Sequence, residues 1–178
     1  TTQVKDSSGT DTNGTIQPGT PVHDTAKVTV TGAQNPDDAT GTVDFFLCFN
    51  ASAVPNCDGT TGHVGTQVGG DVTLTDISNP ASTTDGISGA SSADVNTSGS
   101  PLANGYYCFR AVAALTNYDS PGAFTDGINE CFQVLKLTTT IATDPRTCTT
   151  ANPPVCTTIS GALNLKDSGS NNVVIALK

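Results

Sequence analysis

Cysteines are the residues of this chain whose type and spacing could do chemistry most directly. They fall into three close pairs: Cys48 with Cys57, Cys108 with Cys131, and Cys148 with Cys156. Six cysteines allow many connectivities, so the spacing favours this neighbour pairing without fixing it. Zinc is the alternative, but structural zinc sites use shorter Cys-x₂₋₄-Cys hooks. The pattern therefore predicts disulfides and, with them, an oxidising extracellular compartment.

Acid–base chemistry has few candidates. His23 and Asp24 are adjacent, and His63 is the only other imidazole. The chain has no Gly-x-Ser-x-Gly nucleophile elbow. Asp37 and Asp38 are neighbours on a turn, whereas a glycosidase needs two acids on opposite sides of a sugar. We therefore expect no enzyme activity, no catalytic residue and no cofactor.

Calcium is the metal ion whose binding loops the sequence most resembles. Asp6, Asp11, Asn13 and Gly14 form an acidic turn near the start of the chain. The regular ligand spacing and the distal glutamate of a calcium loop are missing, and a polar turn explains the same residues. We therefore expect no metal.

Composition excludes two classes of partner. The net charge is −9 with seven Lys and Arg in 178 residues, which leaves no basic surface for a phosphate backbone. No apolar run approaches the roughly 20 residues that cross a bilayer. Sequons at Asn13, Asn50 and Asn96 are candidate glycosylation sites in exposed loops. We expect an extracellular, secreted or cell-surface protein that neither binds nucleic acid nor inserts into membranes.

Three apolar segments carry Cys48, Cys108 and Cys131 and most aromatic residues, so the core must form around them. They are residues 43–49, 106–112 and 130–134. Thr, Ser, Gly, Asp and Asn dominate between them, which favours turns and solvated strand faces over helices. If the strands predicted at 106–114 and 128–137 are adjacent and antiparallel, Cys108 lies opposite Cys131.

Period-two alternation predicts the remaining strands of residues 1–137. These are 2–6, 26–31, two weaker strands near 64–68 and 72–75, and one loosely packed strand within 82–100. Roughly seven or eight short strands with turn signals between them are typical of an immunoglobulin-like sandwich. The predicted fold is therefore all-β: an antiparallel, disulfide-stabilised immunoglobulin-like β-sandwich over residues 1–137.

Four blocks of the chain follow one another in the order of a known kind of repeat. They are Gly19–Thr29, Gly41–Phe46, Gly105–Ala111, and Asn117-Tyr118 followed by Glu130–Val134. Together they resemble the bacterial Ig-like repeats of large secreted and surface proteins. The resemblance implies the sandwich fold and a structural or adhesive role. Some surface Ig-like domains also contain an isopeptide bond, which here could join Lys5 or Lys27 to Asn129. Because disulfides can serve the same purpose, we do not expect this bond.

The remaining segment, residues 138–178, is too short to bury a core of its own even with Cys148 and Cys156 bonded. It holds a candidate strand at 157–165 and ends in an apolar, β-branched strand. The predicted assembly strand comprises Val173, Val174, Ile175, Ala176 and Leu177. Such a strand must be covered, because an exposed edge invites uncontrolled pairing.

Three hypotheses account for this strand and for the loops. Copies of the chain could join head-to-tail by strand complementation, which would make the protein a structural subunit of an extracellular filament or surface assembly. The segment 138–178 could instead begin the next repeat of a tandem array. Within such an array, the module could be an adhesin or carbohydrate-binding domain that contacts surface glycans through loops 35–40 and 117–122, although low aromatic content argues against sugar stacking.

Overall fold

The computed structural model describes residues 1–12, 14–32, 34–121, 123–124, 130–136, 163–166 and 172–175. These residues form thirteen β-strands and no helix, which confirms the all-β prediction. Within them, accordingly, no helix is long and apolar enough to span a membrane. The strands are β1 (Thr2–Asp6), β2 (Thr15–Ile16), β3 (Val22–Thr29), β4 (Gly41–Asn50), β5 (Thr66–Gln67), β6 (Val72–Thr73), β7 (Thr75–Asp76), β8 (Ile87–Ser91), β9 (Gly105–Leu115), β10 (Ala123–Phe124), β11 (Cys131–Val134), β12 (Leu163–Lys166) and β13 (Asn172–Ile175).

Two sheets contain the first eleven strands. The smaller sheet has the order β1-β3-β8-β7, and the larger has the order β2-β11-β9-β4-β5, with β10 also on β9 and β6 also on β4. Neighbouring strands are antiparallel, except that β2 runs parallel to β11. This order is compatible with the immunoglobulin-like arrangement, in which the first, second, fifth and fourth strands form one sheet.

The core lies between the two sheets. Alternation along each strand sends every second side chain inward, and Phe45 and Phe109 at the centre of the larger sheet are both fully buried. Phe132 stacks on Tyr107 with ring centroids 5.5 Å apart. Both sheets contribute to one buried apolar cluster: Val4, Ile16, Val22, Ala26, Ala39, Val43, Phe45, Val68, Leu74, Ala90, Tyr107, Phe109, Ala111, Phe132 and Val134.

The outer face of the larger sheet carries the disulfides. Cys48 of β4 lies opposite Cys108 of β9, and Cys108 lies opposite Cys131 of β11. The structure contains the disulfides Cys48–Cys57 and Cys108–Cys131, which are two of the pairs that the spacing predicts. The four sulfur-bearing residues form one buried cluster, so the disulfides tie three strands and the loop bearing Cys57 together.

Arg110 holds the rest of that loop against the sheet. Its guanidinium lies 4.2 Å from the centroid of the Phe46 ring, and its Nη2 donates a hydrogen bond of 2.9 Å to the carbonyl oxygen of Val64. Nearby, a Cβ atom on Gly65 would stand 2.9 Å from the Cys48 sulfur. Arg110 therefore lies on the outer face of the sheet and fastens the loop through its head group.

Two strands of the smaller sheet differ from their predictions. β3 begins at Val22 rather than at residue 26, because its first half pairs with β1 from Asp6↔Val22 to Thr2↔Ala26. β8, predicted as a loosely packed strand, is an inner strand between β3 and β7. Its small side chains allow close packing: Ser88 is buried and donates a hydrogen bond of 2.8 Å to the carbonyl oxygen of Ala39.

Contacts divide the chain into two compact units, Thr1–Lys136 and Leu137–Lys178. In the second unit, β12 and β13 form a two-stranded antiparallel sheet with Leu163 opposite Ile175 and Lys166 opposite Asn172. The third predicted disulfide, Cys148–Cys156, lies outside the described residues. Ala176 and Leu177 of the predicted assembly strand lie outside them as well.

Candidate functional site

The two loops predicted to bind a ligand meet at one end of the sandwich. Gly41 starts β4 opposite Leu115 at the end of β9, so the loop before one strand lies beside the loop after the other. Asn117 joins them: its Oδ1 accepts a hydrogen bond of 2.8 Å from the Thr40 amide, and its Nδ2 donates one of 2.8 Å to the Asp38 carbonyl. The loops therefore form one surface.

Most polar groups of this surface are already engaged within it. The Tyr118 hydroxyl donates a hydrogen bond of 2.9 Å to the Asp37 carbonyl, and the hydroxyls of Thr40 and Thr116 lie 2.7 Å apart. At the start of β4, a Cβ on Gly41 would stand 2.1 Å from the Ala114 carbonyl oxygen. These contacts hold the two loops against each other. The aromatic surface that the described loop residues offer to a partner is the exposed part of the Tyr118 ring.

Three carboxylates cluster at the same loop region. Each of Asp38, Asp76 and Asp85 offers an oxygen within 4.8 Å of the others, and carboxylate oxygen is the ligand that calcium prefers. One oxygen of each carboxylate accepts a hydrogen bond from the chain: Asp76 Oδ1 from the Ser78 amide at 2.7 Å, and Asp38 Oδ1 and Asp85 Oδ1 from the Ile87 amide at 3.2 and 3.1 Å. These turn hydrogen bonds orient the three carboxylates, whereas Asp38 Oδ2 is buried and has no hydrogen-bond partner among the described residues.

The three carboxylates do not titrate alike. Burial raises the pKa of Asp38, and the negative charges of Asp76 and Asp85 raise it further. Hydrogen bonds from the hydroxyl and amide of Ser78 lower the pKa of Asp76 below its ordinary value. Asp76 therefore remains anionic well into the acidic range, because its charge is already solvated by the turn around it.

Two of the residues that resemble a calcium loop, Asp6 and Asp11, form contacts with protein groups. Asp6 Oδ1 accepts hydrogen bonds from the Ser8 amide at 2.9 Å and the Ser8 hydroxyl at 2.6 Å, which lower the pKa of Asp6. Asp11 forms an ion pair with Lys5. Asn13 lies outside the described residues. The partners of Asp6 and Asp11 are thus protein groups, as the polar-turn interpretation expects.

The adjacent residues His23 and Asp24 point to opposite faces of β3, because side chains alternate along a strand. His23 Nδ1 lies 3.0 Å from Asp94 Oδ1 on the outer face, while Asp24 is fully buried on the inner face. His63 lies in the loop over the larger sheet, with its Nδ1 3.4 Å from Asp58 Oδ1. The structure therefore brings neither imidazole into a dyad with Asp24.

One sequon asparagine is part of the interior. Asn96 is 1% exposed; its Nδ2 donates hydrogen bonds of 2.8 and 2.9 Å to the carbonyls of Gln17 and Thr20, and its Oδ1 accepts bonds of 3.0 Å from the amides of Gly19 and Leu102. A buried amide with four partners has no room for a glycan. Asn96 is therefore a structural residue and not the glycosylation candidate that its sequon indicates.

Asn50 differs from Asn96 in its surroundings. Its side chain is exposed at the end of β4, and its Oδ1 accepts hydrogen bonds of 3.0 and 3.2 Å from the amides of Ser52 and Ala53. Its Nδ2 is the atom that glycosylation would modify. Exposure keeps Asn50 a glycosylation candidate.

A strand edge close to these loops is open among the described residues. Lys27 of β3 pairs with Thr1, whose carbonyl accepts a hydrogen bond of 2.7 Å from the Lys27 amide. Because hydrogen bonding alternates along a strand, the amide and carbonyl of Thr29 face the same side. The described residues contain no strand partner for Thr29 on that side.

An apolar cleft of about 200 Å³ lies beside this edge, between the two sheets. Ala26 and Val28 of β3 form one wall, and Ala111 and Ala113 of β9 form the other. Val28 and Ala113 are only partly buried. A strand in line with β1, whether from the same chain or from another, would place alternate side chains in this cleft and pair its backbone with Thr29. We refer to the Thr29 edge and this cleft together as the acceptor edge.

Comparison of the chain with protein-family models, curated proteins and solved structures finds no match in any of the three.

Proposed function

We propose that this chain is a structural module of an extracellular filament or surface assembly, in which one copy completes the sheet of the next by adding its C-terminal strand to the acceptor edge. The observation that carries the proposal is the pairing of β12 with β13. Residues 172–175 therefore form a strand, and β12 pairs with one of its two edges in the described residues.

The donor side follows from the limits of small sheets. A single two-stranded hairpin is marginally stable in water at best, and β13 contains Val173, Val174 and Ile175 in succession. Both faces of such a strand are apolar, which suits burial on both sides. A partner surface would therefore stabilise the strand and remove an edge that otherwise invites aggregation.

The acceptor side supplies matching groups. The backbone of Thr29 offers a donor and an acceptor for strand addition, and the cleft beside it takes apolar side chains of modest size. Main-chain hydrogen bonds give such contacts their affinity, and pockets for alternate side chains give them specificity. Donor and acceptor are different surfaces of one chain, so the contact is head-to-tail and generates an open filament when the rotation does not close.

An extracellular location fits the same proposal. The two disulfides are compatible with an oxidising compartment, and the strand order is compatible with the bacterial Ig-like repeats that the sequence resembles. Repeats of this kind serve as mechanical or adhesive building blocks. Under this proposal the protein's partners are copies of itself, and its mechanism is strand pairing between disulfide-stabilised units.

Replacing Thr29 by proline tests the acceptor edge. Proline removes the one amide that faces the open side and leaves the pairing of Val28 and Val30 with the β8 side in place. We expect filaments of the parent chain in negative-stain electron microscopy and none of Thr29→Pro at matched concentration. The control Thr29→Val keeps the amide and the strand propensity, and it should assemble like the parent.

Several outcomes would contradict the proposal. Equal assembly of the Thr29→Pro and Thr29→Val variants would exclude this edge, provided that both unfold at the same urea concentration as the parent. Monodisperse monomers of the parent chain, up to the highest concentration reached, would contradict strand donation and favour a module of a tandem array.

A binding module is the second candidate function, and the joined loops around Asn117 are the observation that favours it. Loops held together at the end of a sandwich are a common place for ligand contacts. Binding of the monomer to a glycan array, in the absence of assembly, would support this function over strand donation.

A further inference from the structure

Asp24 places a carboxyl group in the core of the sandwich. It lies on β3 between Val22 and Ala26, opposite Val4 of β1, and it is fully buried. Its backbone is well satisfied, since its amide donates a hydrogen bond of 3.0 Å to the Ser92 hydroxyl and its carbonyl accepts one of 2.9 Å from the Ser92 amide. The main chain thus holds this carboxyl inside the protein.

The carboxylate oxygens lack comparable support. Within the described residues, neither Oδ1 nor Oδ2 of Asp24 has a hydrogen-bond donor. The amides of Thr25 and Gln3 lie near enough to favour the charged form electrostatically, but they do not reach hydrogen-bond geometry. A buried charge without donors is costly, and the usual response is protonation of the group.

Charged groups of the same sheet lie on its outer face or at its edge. Lys5 of β1 pairs with Asp11, and the nearest acid on the β8 side, Asp94, contacts His23. The ammonium of the first residue donates its hydrogen bond to the Lys27 carbonyl and lowers the pKa of Asp24 only as a minor effect. None of these groups neutralises Asp24 by direct contact.

The opposite sheet presents an apolar face with two ionisable groups in the described residues. Tyr107 directs its hydroxyl to the Ala103 carbonyl at 2.9 Å, and Glu130, immediately before β11, is fully buried. Arg110 of β9 lies on the outer face, where it contacts Phe46. Asp44 of β4 also faces outward, toward Gln67. Burial is accordingly the first cause that raises the pKa of Asp24 to about 7.

We propose that Asp24 is a proton-dependent stabilising device, which makes the folded sandwich more stable in mildly acidic surroundings than above neutrality. In acid, the carboxyl is neutral and fits the core. Above neutrality, it ionises without leaving the interior, and the cost of the buried charge is subtracted from the stability of the fold. The device is independent of strand donation, because it lies within one unit.

The direction and range follow from linkage. The pKa of Asp24 in the folded state, about 7, lies above its ordinary value of 3.8, so the folded chain binds the proton more tightly than the unfolded chain. The contribution is complete below the ordinary pKa and is lost as the pH rises through the folded one. Between pH 5.5 and pH 8, the folding equilibrium constant should fall by about 30-fold from this group alone.

Urea unfolding at pH 5.5 and pH 8 tests the proposal, with tyrosine fluorescence as the signal because all three tyrosines lie in residues 1–136. The parent chain should show the 30-fold fall, and Asp24→Asn should show less than a threefold change. Asp37→Asn removes the same charge from an exposed turn and should keep the fall seen in the parent.

Two results would overturn the proposal: a parent chain whose stability does not fall across this range, or an Asp24→Asn variant that keeps the full fall. If Asp24→Asn does not fold, carbon-13 NMR of the parent reads the Asp24 carboxyl directly. A titration midpoint near pH 7 supports the proposal, and a midpoint below pH 5 contradicts it.

Discussion

Replacing Phe109 by alanine is expected to lower the free energy of unfolding of the sandwich by about 4 kcal/mol. Phe109 is fully buried at the centre of β9, and its ring centroid lies 6.0 Å from that of Phe132. Both sheets pack around this position, so the surrounding side chains cannot close the cavity without moving the strands. Urea unfolding at pH 6, followed by tyrosine fluorescence, measures the loss.

Phe49→Ala is the matched control. Phe49 lies near the end of the neighbouring strand β4, is 50% exposed, and contacts Tyr107 with ring centroids 4.9 Å apart. Removing the same side chain there should cost only about 1 kcal/mol, because much of its surface is in water already. Equal losses from Phe109→Ala and Phe49→Ala would contradict the placement of the core between the two sheets.

Removing the Cys108–Cys131 disulfide has the second-largest expected effect. The double substitution of both cysteines by alanine should lower the free energy of unfolding by about 3.5 kcal/mol. The bond closes a segment with a sequence separation of 23, so its loss restores conformational freedom to the unfolded chain. It also removes a buried contact between β9 and β11, whose only other described partner strand is the two-residue β2.

The corresponding substitution of Cys48 and Cys57 calibrates this result. That disulfide closes a sequence separation of only 9, and the same chain-entropy relation gives a loss of about 2.5 kcal/mol. Both doubly substituted chains keep the other bond. Unchanged stability on removing the Cys108–Cys131 bond would show that strand pairing alone holds β11 in place.

The strands that build the larger sheet are predictable from the sequence because their signals agree with one another. Alternation along 43–49 places Phe45 and Cys48 on opposite sides of the strand, and the structure has Phe45 in the core cluster and Cys48 in the separate cysteine cluster. The expectation that Cys108 lies opposite Cys131 is confirmed by the pairing of β9 with β11. Aromatic and β-branched residues are concentrated in these strands, so local propensity and burial favour the same conformation.

β8 shows why other parts of the fold escape prediction. Its sequence, Ile-Ser-Gly-Ala-Ser, has one large apolar residue, so hydrophobic alternation gives almost no signal. The strand is inner because its neighbours need small partners: a Cβ on Gly89 would stand 2.8 Å from Ile77 Cδ1 and 3.1 Å from the Ala26 carbonyl oxygen. Close approach of this kind depends on tertiary packing, which local sequence does not reveal.

The candidate sites, like the strands, are predictable from the sequence only in part. Proximity of the loops at 35–40 and 117–122 follows from the register of β4 with β9, whereas their cross-loop hydrogen bonds through Asn117 have no sequence signal. Asp24 did have a sequence signal. It alternates in step with Val22 and Ala26, and these positions form the inward face of β3. Its adjacency to His23 in the sequence suggests an acid–base pair, but alternation along the strand places the two side chains on opposite faces.

Cross-linking between copies tests the central claim, strand donation, most directly. A photoreactive amino acid at position 29 would be activated in an equal mixture of unlabelled and nitrogen-15-labelled chains, and the cross-linked peptides would be identified by mass spectrometry. Strand donation predicts cross-links from position 29 to residues 172–177, with half of them joining a light chain to a heavy one. Cross-links to these residues only within one chain, or only to other segments, would contradict it.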